Sequence, residues 1–279
     1  MRVATVDGLV TLFYDRSKEL FNQELSREWW NAYCDNDGNS NDDDWKEWDI
    51  SDECREYWRQ RISWQQIIVT DGVTEIPDST FYNCWNIQRV IFADTVVRIE
   101  YQAFSDCRSL VYIKLSINLE YIGMWAFFLC NLSSVFIPSS CRVIRNDAFA
   151  SNENLSIFSV PQHTELGRDM IQFAALAKSS PFQLRRDGWY EREVNDDMNT
   201  WIKNMNHDEV FSLHRACASF QPLKQVLYNI IQEKGLKAFK VKNDVGITPS
   251  QYLKENPYTE LTEKEIIHDY LMKLMGEVE

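Results

Sequence analysis

The chain has 279 residues, of which 44% are hydrophobic and 25% are charged, a composition that is typical of folded proteins and excludes a wholly disordered one. Its 42 acidic residues outnumber its 29 basic residues and give a net charge of −13, which disfavours nucleic acid as a partner. The longest unbroken apolar run, residues 124–130, is far shorter than the ~20 residues of a membrane-spanning helix, so no membrane partner is expected.

The two ends of the chain show no targeting signal. The first ten residues lack the apolar stretch of a signal peptide, and the last residues contain no lipidation or retrieval motif. The seven cysteines are an odd number, which argues against a disulfide framework. Together these features predict a soluble, cytoplasmic protein.

Residues 1–66 are predicted to form an N-terminal region with a β-hairpin, an acidic loop and a capping helix. The pair Asp7-Gly8 between two apolar segments is a strong signal for a two-residue hairpin turn. Ser51 is a predicted helix N-cap, and Cys54 and Trp58 fall on one face of the helix that follows. We expect this helix to cover the first turn of the central region.

A repeat of 22–23 residues runs through residues 67–166. Its clearest column is phenylalanine, at Phe81, Phe104, Phe127 and Phe149. An isoleucine stands five residues before each phenylalanine, and the pattern L-x-x-L-x-L of a short strand follows it. Because no single unit can bury its own apolar face, the sequence predicts four and a half stacked repeats. They would form an α/β solenoid with a short-stranded parallel sheet.

These motifs resemble the BspA-like leucine-rich repeats. The family pattern has a strand ending in I-P, then V-x-x-I-G, then A-F-x-x-C, and the stretches VFIPSSCRVIRNDAFASN and KLSINLEYIGMWAFFLC follow it. Asn152 replaces the cysteine in the last unit, and Phe92 and Leu115 lack the following proline. The resemblance implies a curved solenoid that recognises proteins and does not act as a catalyst.

Neither a metal nor a cofactor is expected. The column Cys84, Cys107 and Cys130 could form a metal or redox ladder, but no histidine or fourth ligand follows at zinc-site spacing. Buried small side chains are the preferred interpretation. The acidic stretch 35–46 fails as an EF-hand, because Ser40 stands where glycine is needed and Lys46 where glutamate is needed.

Alternate side chains of the predicted strands point away from the core and form two columns. These columns are the predicted partner-binding surface, because tyrosine and arginine are enriched where proteins bind most strongly. The alternative is that a neighbouring N- or C-terminal segment covers them. The first column is Arg89, Tyr112, Ser134 and Ile157, and the second is Ile91, Lys114, Phe136 and Ser159.

Residues 167–199 are predicted to be a linker, and residues 200–279 a helical region. Gly235 is a predicted helix end, and Thr248 with Gln251 and Thr262 with Glu265 are predicted capping boxes. The stretch SLHRACAS resembles the T-P-L-H-x-A opening of an ankyrin repeat, and DVGITPSQYL resembles the turn of the next. The combination of regions also resembles a large family of unicellular algal proteins, which implies this architecture and no activity.

The sequence does not favour an enzyme. His214 and Cys217 are three residues apart on a predicted helix, so a thiol-dependent enzyme is an alternative hypothesis. In an ankyrin-like helix, however, this histidine would make a structural hydrogen bond and the cysteine would pack in the core. No nucleotide-binding, hydrolase or zinc-protease motif occurs.

The preferred hypothesis is therefore a noncatalytic adaptor that recognises a protein partner of unknown identity through the outward face of the repeat sheet. A purely structural protein, with this face covered by its own C-terminal segment, is the third possibility.

Overall fold

The structure is a computed structural model and describes residues 2–15, 21–35, 49–174, 212–218, 224–243, 246–259 and 261–275. The predicted acidic loop after Asp35 and the predicted linker from residue 175 onward lie outside these residues. No helix within the described ranges is long and apolar enough to cross a membrane.

Each repeat contributes two short strands to two parallel sheets. The first sheet contains β3 (Gln66–Val69), β5 (Arg89–Ile91), β7 (Tyr112–Lys114), β9 (Ser134–Phe136) and β11 (Ile157–Ser159). The second contains β4 (Glu75–Ile76), β6 (Arg98–Ile99), β8 (Tyr121–Ile122), β10 (Val143–Ile144) and β12 (Glu165–Leu166). The predicted strands are those of the first sheet. The second sheet was not predicted from the sequence, because two-residue strands are too short to show an alternating pattern.

The first sheet is interrupted. Strands β3, β5 and β7 pair in register, whereas β9 and β11 form a separate two-stranded sheet. The third copy of the strand pattern L-x-x-L-x-L begins at Leu132, which is 22 and not 23 residues after the second copy begins at Leu110. The interruption of the sheet falls at this point. The second sheet remains continuous from β4 to β12.

The phenylalanine column forms a stack through the interior. The ring centroids of Phe81 and Phe104 are 5.0 Å apart, those of Phe104 and Phe127 5.3 Å, and those of Phe127 and Phe149 5.2 Å. All four side chains are fully buried. The turn after β12 repeats the pattern with Ile171 in the phenylalanine position, so the described solenoid continues to residue 174, beyond the predicted end at 166.

The chain turns tightly with non-glycine residues in the left-handed conformation, two in each repeat. Their φ angles lie between 50° and 65°, which costs backbone energy for residues other than glycine, asparagine and aspartate. The two columns are Ser79, Gln102, Trp125, Asp147 and Asp169, and Asn83, Asp106, Leu129, Ser151 and Phe173. Regular stacking of the turns holds these conformations in place.

The predicted hairpin is confirmed, and it extends the first sheet. Strands β1 (Arg2–Val6) and β2 (Leu9–Tyr14) pair antiparallel, and both Asp7 and Gly8 have positive φ. Strand β2 then pairs parallel with β3 in continuous register. The hairpin therefore adds two strands to the first sheet ahead of the first repeat.

Two helices flank the start of the solenoid. Helix α2 (Asp52–Ser63) begins at the predicted cap, where the Ser51 hydroxyl accepts a hydrogen bond from the Cys54 N–H. Helix α1 (Gln23–Asp35) was not predicted. The two helices pack through Trp29 and Trp58, whose ring centroids are 4.6 Å apart, and Trp85 of the first turn joins them.

The C-terminal helices form a second core. They are α3 (Ser212–Ala218), α4 (Lys224–Lys234), the 3-10 helix Leu236–Lys240, α5 (Pro249–Glu255) and α6 (Glu263–Met275). The helix end at Gly235 and both capping boxes are confirmed. The core of these helices includes two side chains of the solenoid, Phe136 and Ile157, so the helices pack on the first sheet.

Candidate functional site

The outward residues of the first sheet form two rows across the strands. In one row, strand pairing places Thr11, Gln66, Arg89 and Tyr112 side by side. Thr11 and Gln66 are buried, whereas Arg89 and Tyr112 are half-buried. In the other, Arg2 pairs with Phe13, and the row continues through Ile68, Ile91 and Lys114. With strands ~4.8 Å apart, five strands span about 19 Å.

The second row is an apolar strip with a cation at each end. Phe13, Ile68 and Ile91 are half-buried, and the Arg2 guanidinium lies 4.1 Å from the centroid of the Phe13 ring. Lys114 is half-buried at the other end. This arrangement can contact apolar side chains along the strip and carboxylates at its ends. We call Phe13, Ile68, Arg89, Ile91, Tyr112 and Lys114 the open face.

Arg89 and Tyr112 form a pair within the first row. The Arg89 guanidinium lies 5.0 Å from the centroid of the Tyr112 ring, within the range of a cation–π interaction. Burial raises the pKa of the Tyr112 hydroxyl, and the charge of Arg89 opposes this effect. The hydroxyl is therefore neutral at pH 7 and can both donate and accept hydrogen bonds.

The predicted columns do not continue as one exposed surface. Phe136 and Ile157 are each only 3% exposed, because they lie in the core formed with the C-terminal helices. Ser134 and Ser159 are half-buried. At Phe136 and Ile157 the alternative interpretation, cover by the protein's own segment, is the one that the structure adopts.

Tyr258 connects the two cores at the interruption of the first sheet. Its side chain packs against both, and its hydroxyl donates a hydrogen bond to the Leu115 carbonyl at 3.1 Å. Burial raises the pKa of Tyr258 far above its ordinary value, so the phenol remains a donor. Leu115 directly follows β7, where the pairing with the next turn is lost.

His214 and Cys217 do not form an activated pair. The Nε2 of His214 lies 2.8 Å from the Val241 carbonyl and 3.1 Å from the Ile247 carbonyl, so this nitrogen acts as a donor that holds the following loop. Cys217 is fully buried, and burial raises the pKa of its thiol far above neutrality. Nucleophilic catalysis requires an accessible thiolate, which this environment disfavours.

The cysteine column has a structural role in the solenoid. The thiols of Cys107 and Cys130 each donate to the carbonyl of the phenylalanine one repeat earlier, at 3.2 Å. Asn152 does the same through its amide, at 2.8 Å from the Phe127 carbonyl. Burial raises the pKa of Cys107, which keeps the thiol protonated. Among the described residues, no group of three or more potential ligands is arranged to hold a metal ion.

A small cavity lies where α1 and α2 meet the first turns. Its volume is about 270 Å³, and Trp29, Trp58, Tyr82 and Asn83 are among the residues that line it. Neither this cavity nor the outward residues of the hairpin were predicted from the sequence. The hairpin signal was present, but its register with β3 could not be read from the turn alone.

The stacked turns, the interior phenylalanine column and the parallel sheets together define a leucine-rich repeat solenoid. Residues 65–180 match the model of the BspA type leucine rich repeat region in six copies. The match ends before the C-terminal helices, so their ankyrin-like character stays a prediction. No curated protein matches the chain.

Several solved bacterial structures are similar to the repeat region. The T. pallidum leucine rich repeat protein TpLRR is 30% identical over 39% of this chain and 54% of its own, with a TM-score of 0.38. A leucine-rich repeat protein from Bacteroides ovatus is 30% identical over 40% of this chain and 31% of its own, with a TM-score of 0.38. For the pneumococcal vaccine antigen PcpA the identity is 28%, the coverage 39% and 28%, and the TM-score 0.36. The matched part thus spans about half or less of these relatives.

Proposed function

We propose that the chain is a noncatalytic protein-interaction module whose docking surface is the open face. The observation that carries this proposal is the apolar strip Phe13–Ile68–Ile91, with Arg2 and Lys114 at its ends. The family of the repeat region supports it, since leucine-rich repeats build extended sheet surfaces suited to binding.

The chemistry of the open face selects a class of partner. Half-buried apolar residues on rigid strands lose little conformational entropy when a partner covers them. Cationic ends on a chain of net charge −13 favour a segment whose apolar side chains are flanked by carboxylates. The fitting partner is thus a protein segment of mixed acidic and apolar character.

The test compares three baits in affinity capture from lysate of the source cell. The first is the wild-type chain, and the second carries Arg89→Glu and Lys114→Glu on the open face. The third, a matched control, carries Arg142→Glu and Arg168→Glu at exposed positions away from the first sheet. Phe136 is left unchanged, because it belongs to the core with the C-terminal helices.

Candidate partners are then purified and measured by isothermal titration calorimetry at two salt concentrations. We expect a partner that binds the wild type and the control, loses affinity for the open-face variant, and binds more weakly at high salt. A partner bound equally by all three baits would refute docking on the open face.

A purely structural role is the second candidate, and the cover over Phe136 and Ile157 favours it. In that case the C-terminal helices would serve to protect apolar residues of the first sheet. If no protein binds the wild type more tightly than it binds the open-face variant, the structural role is the better account.

A further inference from the structure

We propose that the outer edge of β1 is a dimerisation site, at which β1 pairs antiparallel with β1 of a second copy of this chain. This inference is independent of the proposed function of the open face. It follows from the register of the hairpin, the exposure of β1 and the pattern of its side chains.

The register determines which backbone groups face outward. In a two-residue hairpin the residues that flank the turn, Val6 and Leu9, form a hydrogen-bonded pair, and such pairs then alternate along the ladder. Residues 2, 4 and 6 therefore bond toward β2. The backbone N–H and carbonyl groups of Val3 and Thr5 face the opposite way, toward the outer edge.

This edge is open in the described part of the chain. Strand β1 is the terminal strand of its sheet, and no described strand pairs with its outer side. Four of its five residues are exposed and the fifth is half-buried. The segment RVATV has no lysine, proline or bulge to protect this edge, and its one charged residue, Arg2, stands at the start of the strand with its guanidinium over the Phe13 ring.

The edge is complementary to itself. Antiparallel pairing about a two-fold axis at Ala4 places Val3 opposite Thr5 of the second copy and Arg2 opposite its Val6. The outward groups of Val3 and Thr5 then form four backbone hydrogen bonds in two symmetric pairs. No two charges oppose each other, and the row that contains Thr11 and Gln66 continues through Ala4 into the second copy.

Apolar surface at this end of the solenoid also favours a second copy of the chain as the partner. Val3 is 47% exposed, although it pairs with the fully buried Leu12 and so lies on the side of the sheet that faces the core. Open ends of solenoids expose apolar surface that requires a cover. In the proposed dimer, each Val3 packs against Thr5 of the other copy.

The test measures self-association of the full chain by sedimentation velocity over a range of concentrations. We expect a reversible monomer–dimer equilibrium in the wild type. Thr5→Pro removes an outward donor at an edge position where proline is tolerated, and should raise the dissociation constant roughly tenfold or more. Thr5→Val, the matched control, keeps the N–H group and should leave the dissociation constant unchanged. Thermal unfolding at a concentration where all three proteins are monomeric verifies that each is folded.

Cross-linking tests whether the two-fold axis of the dimer lies at Ala4. Ala4 faces Ala4 of the second copy in a non-hydrogen-bonded pair, where the Cα atoms are ~4.5 Å apart, within reach of a disulfide. Under mild oxidation, Ala4→Cys should give a covalent dimer, and neither Arg2→Cys nor the wild type should. A wild type that is monomeric at every concentration overturns the proposal. So does a dimer that Thr5→Pro leaves intact and Ala4→Cys does not trap.

Discussion

At the scale of single residues, Arg61 replaces a missing turn of the solenoid. In the repeats, the Phe81 N–H donates to the Ala103 carbonyl and the Asn83 N–H to the Ser105 carbonyl. One repeat earlier, the equivalent carbonyls are those of Thr80 and Tyr82, and the guanidinium of Arg61 donates to both, at 3.1 and 2.7 Å. A single buried side chain from α2 thus satisfies backbone groups that the helical cap cannot pair.

The Arg61→Leu variant should therefore be markedly less stable than the wild type. Leaving two buried carbonyls without donors is expected to cost about 3 kcal/mol in the free energy of unfolding, measured with urea. The control is Arg59→Leu on the exposed side of the same helix, where the loss should be below ~0.5 kcal/mol. Equal losses in the two variants would show that Arg61 does not cap the turn.

His214 makes the C-terminal helices sensitive to acid. Burial lowers the pKa of its imidazole below the ordinary value of 6.5, so the unfolded chain binds a proton more tightly than the folded chain. The stability that neutral His214 contributes is present above pH ~6.5 and is lost progressively as the pH falls below it.

We expect His214→Gln, which keeps a donor toward the two carbonyls, to be about 1–2 kcal/mol less stable than the wild type at pH 7. Between pH 7 and pH 5 the melting temperature of this variant should fall less than that of the wild type. The exposed His163→Gln is the control and should follow the wild type. Parallel curves for His214→Gln and the wild type would exclude His214 as the origin of the acid sensitivity.

At the scale of elements, the phenylalanine column links the turns. Phe127 stacks on Phe104 and Phe149 at nearly parallel angles, so Phe127→Ala should open a cavity and cost ~3–5 kcal/mol. Lys114→Ala, on the outward side of β7, should cost almost nothing. Urea unfolding of both variants tests this assignment of inward and outward side chains. A destabilised Lys114→Ala together with a stable Phe127→Ala would show that the assignment is reversed.

The elements also show what the sequence can predict. The phenylalanine and cysteine columns predicted the stacked repeats and their core, because every repeat fills the same interior positions with the same residue types. The second sheet escaped prediction, because its strands are two residues long. The cover over Phe136 and Ile157 was left as an alternative, since a contact with helices far along the chain leaves no local pattern at either residue.

At the scale of the whole molecule, the open face and the C-terminal helices divide the first sheet between them. The division falls at the interruption after β7. There the Tyr258 hydroxyl donates a hydrogen bond to the Leu115 carbonyl, and the Tyr258 side chain packs against both cores. The interruption of the sheet and the contact of the C-terminal segment with the solenoid therefore fall at the same place.

This coupling predicts that weakening the contact on the solenoid side loosens the helices selectively. Phe136→Ala should cost ~3 kcal/mol and raise the rate at which a thiol reagent labels Cys217, which is buried in the shared core. Labelling of Cys107, inside the solenoid, should stay slow, since its core lies under the other side of the sheet. Lys114→Ala serves as the control, with both rates unchanged. Mass spectrometry of the labelled peptides measures each rate, and faster labelling of Cys107 together with Cys217 would mean that the solenoid and the helices open as one unit.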